Sequence, residues 1–183
     1  AITNFNNGCV PLSRGFSGEL LTSDTSAISW KWNFGNGNTS DLQNPVQQNY
    51  LTAGVYNINL TATNSSGCID TAARIIEAYP IPNVNAGNDA WVCIGKNQKL
   101  TATGADSYLW KVNTTLNCTD CADPVATPVE ETEYSVTGFT THGCSASDSV
   151  VLKVQKPQKV TFSQTDTLCK GESSKLLATG ADN

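Results

Sequence analysis

The residues best suited to chemistry in this chain are its seven cysteines, which stand at Cys9, Cys68, Cys93, Cys118, Cys121, Cys144 and Cys169. Cys118 and Cys121 form a C-x-x-C motif, which in a redox enzyme requires a thiolate stabilised at a helix N-terminus. Together with Cys93 and Cys144 this pair could instead bind zinc, although structural zinc sites usually combine two such motifs. The third interpretation is structural disulfides. We favour it, because many cysteines in small, threonine-rich modules are typical of exported proteins in oxidising surroundings.

Other catalytic groups are sparse in the sequence. The single histidine, His142, lies in a Thr-Thr-His-Gly-Cys segment typical of a surface turn. A G-x-S-x-G nucleophile elbow is not completed, because Glu19 stands where its second glycine belongs. Glu130 and Glu131 precede a predicted strand, where they would solvate a loop. We therefore predict no catalytic residues, and we predict that the chain is not an enzyme.

Charge and hydropathy exclude further function classes. The net charge is -5 and the pI is about 4.7, whereas nucleic-acid binding needs clustered basic residues. No stretch approaches the roughly 18 apolar residues of a membrane span. Four aspartates could supply oxygen ligands to a calcium ion between domains, but nothing in their spacing fixes a site; they are Asp89, Asp106, Asp120 and Asp148. We therefore predict no cofactor and no metal site.

The elements that must position these residues are β-strands. Ile28, Trp30, Trp32 and Phe34 alternate with polar residues, which predicts a strand with one aromatic face turned to a core. Further strands are predicted at residues 56–62, 71–78, 100–102, 108–112, 134–136 and 150–154. Short strands separated by Gly, Asn and Asp turns are typical of antiparallel sandwiches. The predicted fold class is all-β, with tandem β-sandwich domains in an elongated arrangement.

An internal repeat divides the chain. Residues 92–106 and 168–182 share nine identities in fifteen positions at a constant offset of 76 residues. Pro-containing segments at 79–82 and 156–157 favour short, extended connections between units. We therefore predict three units: a first domain at residues 1–79, a complete repeat at residues 80–157, and the truncated start of the next repeat at residues 158–183.

Trp91 is the candidate binding residue. Its counterpart in the repeat is Thr167, whereas a core position would be expected to keep an apolar side chain. An exposed tryptophan could contact the face of a sugar or a neighbouring domain. The alternative is that Trp91 packs locally against the linker.

The first domain resembles a known family. The motifs W-K-W-N-F-G-N-G-N-T-S, N-P at residues 44–45, Tyr50 and G-V-Y-N-I-N-L-T-A-T-N at residues 54–64 are similar to those of PKD domains. The family usually has W-D-F-G-D-G, whereas Asn33 and Asn36 replace both acidic residues here. Because hard cations prefer carboxylates, we interpret this segment as a turn and not as a calcium site.

The second half resembles the Ig-like repeats of giant Bacteroidetes cell-surface adhesins, the SprB-type adhesins of gliding motility. The motifs that carry this resemblance are V-C-I-G, L-T-A-T-G-A, C-T-D-C, T-E-Y-S-V-T-G and G-C-S-A-S-D-S-V. The resemblance implies cell adhesion and gliding as the function, type IX secretion, and a cell-surface location, with an export signal outside the printed sequence. Expected partners of this monomer are neighbouring repeats of the same chain and surface polysaccharide. The alternative function is a spacer or carbohydrate-binding accessory region of a secreted polysaccharide-degrading enzyme.

Three disulfides fit the cysteine pattern in such units: Cys9–Cys68, Cys93–Cys144 and Cys118–Cys121. The first two would tie the start of each domain to a late turn of the same domain. Each would contribute about 4 kcal/mol on the chain-entropy model, and the C-x-x-C ring about 2 kcal/mol. Cys169 is the counterpart of Cys93, and we predict that it is unpaired because its repeat is truncated.

Overall fold

The described backbone consists of β-strands, turns and irregular segments. The computed structural model describes residues 1–3, 6–20, 28–111, 113–158, 161–162, 170 and 178–179. The strands of the first half are β1 (Ile2–Thr3), β2 (Gly8–Cys9), β3 (Leu12–Arg14), β4 (Ser17–Gly18), β5 (Ser29–Asn33), β6 (Thr39–Ser40), β7 (Gln48–Tyr50), β8 (Gly54–Thr63) and β9 (Ile69–Tyr79). Those of the second half are β10 (Ala90–Cys93), β11 (Gln98–Lys99), β12 (Ser107–Trp110), β13 (Val125–Ala126), β14 (Thr132–Phe139), β15 (Ser145–Gln155), β16 (Thr161–Phe162) and β17 (Ala178–Thr179).

Strands β1–β9 surround one hydrophobic core, and we call them the first unit. Its main sheet has the order β2-β9-β8-β5-β6, and the pairs β1-β4 and β3-β7 complete the sandwich. Trp32 and Phe34 are fully buried at its centre, where Phe16 packs against both rings. Trp30, predicted to be a core residue, is only half-buried and packs against the edge of this core. The alternation of apolar residues along β5 therefore has the predicted effect, since it directs one face of the strand inward.

Strands β10–β15 surround a second core, and we call them the second unit. The main sheet has the order β10-β15-β14-β12, and the small β11-β13 pair contributes to the opposite side. The large side chains that are fully buried in this core include Trp110, Tyr134, Val136 and Leu152. The prediction of an all-β sandwich fold is confirmed.

The two units share one topology. In each, the last two long strands form an antiparallel hairpin, β8-β9 in the first unit and β14-β15 in the second. In each, the strand that carries the first cysteine runs parallel to the last strand: β2 beside β9, and β10 beside β15. The register places Cys9 opposite Tyr79, and Cys93 opposite Gln155. The first cysteine of each unit therefore lies beside the C-terminal end of that unit's last strand.

The segment predicted to open a third repeat is described only in small part. The backbones of β16 and β17 pair antiparallel, with Thr161 opposite Thr179. Cys169 lies outside the described residues, as does Thr167, the counterpart of Trp91. The boundaries at residues 79/80 and 157/158, and the assignment of residues 158–183 to a truncated repeat, stay predictions. In the described ranges no helix is long and apolar enough to cross a membrane.

Candidate functional site

The two units are joined by a disulfide between Cys9 of β2 and Cys144, the residue before β15. Its Cα atoms are 5.6 Å apart, and the bond closes a loop with a sequence separation of 135 residues. Cys144 is only 1% exposed. The bond therefore links the first strand of one core's main sheet to the hairpin turn of the other.

Aromatic rings stack beside this disulfide. The ring of Tyr79, at the end of β9, lies parallel to the His142 imidazole, with ring centroids 3.9 Å apart and an interplanar angle of 18°. The Asn7 side-chain amide donates to the Tyr79 hydroxyl at 3.0 Å, and its carbonyl oxygen accepts from the Glu77 backbone N–H at 2.8 Å. We call Cys9, Tyr79, His142 and Cys144 the junction. His142 lies in an exposed turn, as predicted from the sequence, and also makes this ring contact.

The predicted Cys9–Cys68 disulfide is wrong. Cys68 comes directly before β9, whereas Cys9 lies opposite Tyr79, the last residue of that strand. A strand of 11 residues that rises about 3.3 Å per residue separates the two cysteines by about 35 Å, and a disulfide requires a Cα separation below about 7 Å. Cys68 is instead an exposed free cysteine.

The predicted Cys93–Cys144 disulfide is wrong for the same reason. Cys144 precedes β15, and Cys93 lies opposite Gln155 at the other end of that strand. Because β10 runs parallel to β15, the two cysteines lie at opposite ends of the second unit. Cys144 pairs with Cys9, and Cys93 is an exposed free cysteine.

The C-x-x-C motif forms the short disulfide that its spacing predicted, between Cys118 and Cys121. The Trp110 indole N–H donates to the Cys121 backbone carbonyl at 3.0 Å, so the ring is attached to the second core. The redox interpretation required a helix N-terminus, and the bond lies in a loop. The zinc interpretation required four cysteines in one place. Three of these four are in two separate disulfides, and no cluster of three or more metal-binding side chains occurs in the part of the chain described.

The four aspartates considered for calcium lie in separate places. The carboxylates of Asp89, Asp106 and Asp148 each accept a hydrogen bond of 2.8 Å from a backbone N–H; the donors are Val151, Thr141 and Ala86, respectively. These bonds fix loops to strands. Asp120 belongs to the ring closed by Cys118 and Cys121.

Trp91 lies on the outer face of β10 and is 68% exposed. The Lys153 ammonium, on the neighbouring strand β15, lies 5.6 Å from the centre of its ring. The side chain is therefore largely exposed, with one cationic neighbour over its ring. Its role in binding stays a prediction.

The first unit also contains an open cavity of about 270 Å³, and Trp30, Cys68 and Asp70 are among the residues that line it. Leu20 and Ile28, which also line it, flank residues outside the described ranges. We assign no ligand to this cavity.

Comparisons with known proteins agree with this fold. The PKD domain family matches residues 8–77. The pre-pro-metalloprotease PrtV of Vibrio cholerae is 31% identical over 85 residues, which are 46% of this chain and 9% of that protein. The chain therefore spans a small fraction of this curated relative.

Two of the similar solved structures are of fibronectin(III)-like modules and of Ig domains. The fibronectin(III)-like modules of Clostridium thermocellum CbhA align with 14% identity over 85% of this chain and 95% of theirs, with a TM-score of 0.38. The two Ig domains IG1 and IG2 of DIP-gamma align with 14% identity over 84% of this chain and 96% of theirs, with a TM-score of 0.42. From its own sandwich fold and the family match at residues 8–77, we conclude that the chain contains a PKD/Ig-like domain.

Proposed function

We propose that this chain is a structural and adhesive repeat region of a large secreted bacterial cell-surface adhesin filament that acts in surface attachment and gliding motility. The observation that carries the proposal is the junction. A covalent bond and a ring stack between two sandwiches hold neighbouring modules in one arrangement, which a filament needs and an isolated binding domain does not. The motif resemblance to Bacteroidetes adhesins supports surface display after type IX secretion.

The described residues support a non-catalytic role. The one histidine stacks on Tyr79 at the junction, and its turn contains Thr140, whose hydroxyl accepts from the Cys144 backbone N–H at 3.1 Å. This histidine therefore has a packing role. PKD and Ig-like domains are typically non-catalytic modules, and the disulfides are typical of an extracellular location.

Within this proposal, Trp91 is the contact residue for surface polysaccharide. An exposed indole presents a flat apolar face to the C–H groups of a sugar ring. A glycan array of the chain against its Trp91→Ala variant tests this contact. We expect bound glycans to be lost in the variant and retained in a Leu109→Ala control, which alters another exposed apolar residue of the same sheet. Equal binding by both proteins would remove Trp91 from the proposal.

The second candidate function is an accessory region of a secreted degradative enzyme. It is favoured by the similarity to PrtV, which is named as a pre-pro-metalloprotease and is more than ten times as long as the matched segment. In that case the sandwiches would act as spacers or carbohydrate-binding modules beside a catalytic domain, including one that degrades polysaccharide.

Antibody fragments raised against this chain distinguish the two functions in the source organism. The adhesin proposal expects immunogold label on filaments at the cell surface, and slower attachment and gliding when the fragments are added. Label that is confined to the medium and co-purifies with hydrolytic activity would overturn it in favour of the second candidate. Fragments against an unrelated surface protein are the control.

A further inference from the structure

Each unit carries two cysteines at matching places in its topology. One lies in the first strand of the main sheet, beside the end of the last strand, and we call it the edge cysteine: Cys9 or Cys93. The other precedes the last strand, and we call it the hairpin cysteine: Cys68 or Cys144. The hairpin cysteines are 76 residues apart, which is the offset of the sequence repeat. Every unit therefore has one cysteine at each end.

The observed disulfide uses one cysteine of each kind. It joins the edge cysteine of the first unit to the hairpin cysteine of the second. The hairpin cysteine of the first unit, Cys68, and the edge cysteine of the second unit, Cys93, are both exposed and free in the described structure. The two thiols lie at the ends of the two units that face away from the junction.

The backbone around Cys68 has the conformation that holds Cys144 in its bond. The Cys68 N–H donates to the Asn64 side-chain oxygen at 2.9 Å, as the Cys144 N–H donates to the Thr140 hydroxyl at 3.1 Å. In both turns the glycine before the cysteine has a positive φ, 82° at Gly67 and 79° at Gly143. That glycine donates to the carbonyl of the residue three positions earlier, at 3.0 Å and 2.9 Å.

The edge cysteines also share their backbone geometry. The N–H of Val10, after Cys9, donates to the Tyr79 carbonyl at 2.9 Å. The N–H of Ile94, after Cys93, donates to the Gln155 carbonyl at 3.0 Å. Both halves of the observed joint are therefore present again, unbonded, at the outer ends of the two units.

We propose that Cys93 and Cys68 are docking cysteines for further β-sandwich units of this kind. Cys93 bonds to the hairpin cysteine of a following unit, and Cys68 bonds to the edge cysteine of a preceding unit. This rests on the proposed function in one respect, namely that the units occur in tandem. A chain of such units would be linked by one disulfide at every junction, with each bond crossing from one unit to the next.

The oxidation balances with a small disulfide such as oxidised glutathione as the oxidant. One protein thiolate attacks it, forms a mixed disulfide and releases one glutathione thiol. The second protein thiolate then attacks the protein sulfur of the mixed disulfide and releases the second glutathione. Two protein thiols are oxidised to one disulfide, and one glutathione disulfide is reduced to two thiols.

One feature of the observed junction is not repeated at the outer ends. By the 76-residue offset, Gln155 stands in the place of Tyr79, and Ser66 in the place of His142. The ring stack therefore has no counterpart there, and fewer non-covalent contacts would stabilise the disulfide. Substitutions at Gln155 and Ser66 can therefore test whether a ring stack assists formation of the bond.

The test uses two copies of the whole chain as neighbours, with Cys169→Ser present throughout so that Cys68 and Cys93 are the only cysteines left outside the two observed disulfides. A Cys68→Ser protein is mixed with an isotope-labelled Cys93→Ser protein in a glutathione buffer. Because one free thiol of each kind remains, the expected product is a Cys93–Cys68 heterodimer, identified by peptide mapping. We expect it to form about tenfold faster than the homodimer of either protein alone, because complementary docking raises the effective concentration of the two thiols.

Introducing the ring pair sharpens the test. Gln155→Tyr in the Cys68→Ser protein and Ser66→His in the Cys93→Ser protein should accelerate the heterodimer further and leave both homodimer rates unchanged. Equal rates for all three combinations, or no cross-linking at all, would overturn the proposal. These outcomes are separate from the antibody experiment: a selective heterodimer would stand even if the parent protein were a soluble enzyme.

Discussion

Each unit has a buried tryptophan at an equivalent place in its fold, and the two tryptophans are held by different means. In the first unit the Trp32 indole N–H donates to the Leu42 carbonyl at 2.8 Å; in the second the Trp110 indole N–H donates to the Cys121 carbonyl at 3.0 Å. The acceptor follows the tryptophan by ten residues in one unit and eleven in the other. Both indoles are nearly inaccessible to solvent, so each loop must provide a carbonyl at a fixed point.

The loops achieve this differently. In the first unit asparagines brace the turn after β5. The Asn36 amide donates to the Asn49 carbonyl at 3.2 Å, and its oxygen accepts from the Asn38 N–H at 3.1 Å. Gly35 supplies the positive φ of 72° that this turn requires, and a Cβ there would lie 2.9 Å from the Asn57 carbonyl oxygen. In the second unit a disulfide closes a small ring on the acceptor residue itself. The turn that precedes the acceptor loop of the first unit is thus held by hydrogen bonds, whereas the acceptor residue of the second unit belongs to a covalent ring.

The largest expected effect comes from removing the disulfide between the two units, so that the stability of each unit can be measured separately. A Cys9→Ser/Cys144→Ser variant should lose about 5 kcal/mol of unfolding free energy, as expected for a loop of 135 residues. Calorimetry should then resolve two transitions. Cys68→Ser/Cys93→Ser, which alters only exposed free thiols, is the control and should change stability by less than about 0.5 kcal/mol. An unchanged melting profile in the first variant would contradict the covalent junction.

The next effect tests whether the two tryptophans are equivalent. In the Cys9→Ser/Cys144→Ser background, Trp32→Phe and Trp110→Phe should each destabilise their own unit by about 3 kcal/mol. In each case a cavity forms and a buried carbonyl loses its hydrogen-bond donor. Urea unfolding followed by the remaining fluorescence measures both. A loss confined to one unit would show that the two hydrogen bonds differ in importance.

A third effect distinguishes the two units by how their stability depends on pH. Tyr50 of the first unit is buried and donates its hydroxyl to the Phe34 carbonyl at 3.1 Å. Burial raises the pKa of Tyr50 from its ordinary value near 10 to about 12, and the nearby Tyr56 adds to the rise. The unfolded chain therefore ionises first, so the stabilisation is complete below about pH 10 and is lost towards pH 12, by roughly 2–3 kcal/mol.

Urea unfolding between about pH 9 and pH 12 measures this slope. It should be done in a Cys68→Ser/Cys93→Ser/Cys169→Ser background, which removes the three cysteines outside the observed disulfides and so prevents thiol–disulfide exchange. Tyr50→Phe should flatten the slope of the first unit. If the Tyr50→Phe variant had the same slope as the unchanged protein, the loss of stability at alkaline pH would come from another group.

The smallest effects compare the two braces directly. Cys118→Ser/Cys121→Ser should destabilise the second unit by about 2 kcal/mol, as expected for a short ring. Asn36→Ala should destabilise the first by about 1 kcal/mol, because it removes two exposed hydrogen bonds. Asn59→Ala, an exposed substitution on β8, is the control. A larger loss from Asn36→Ala than from the disulfide variant would reverse this ranking.

The sequence predicted local features well and one long-range feature incorrectly. Alternation along a strand depends on neighbouring residues only, so the burial of Trp32 followed from the pattern. The cysteine partners depend on whether the first strand runs parallel or antiparallel to the last, which no local pattern encodes. The 76-residue offset between Cys68 and Cys144 made these two residues equivalents, but it fits a bond within each unit as well as a bond between the units.

The Cys9–Cys144 bond also determines how this chain would transmit mechanical force. A pull applied before Cys9 and after Cys144 passes directly across the sulfur atoms, so residues 10–143 form a side loop that carries no tension. Both cores could lose their packing without lengthening that route, since only the segments outside the bond can be drawn out. Reduction would release about 450 Å of additional contour length, at roughly 3.4 Å for each residue of the loop. In oxidising surroundings the route between Cys9 and Cys144 is inextensible, and in reducing surroundings it becomes a long, yielding tether.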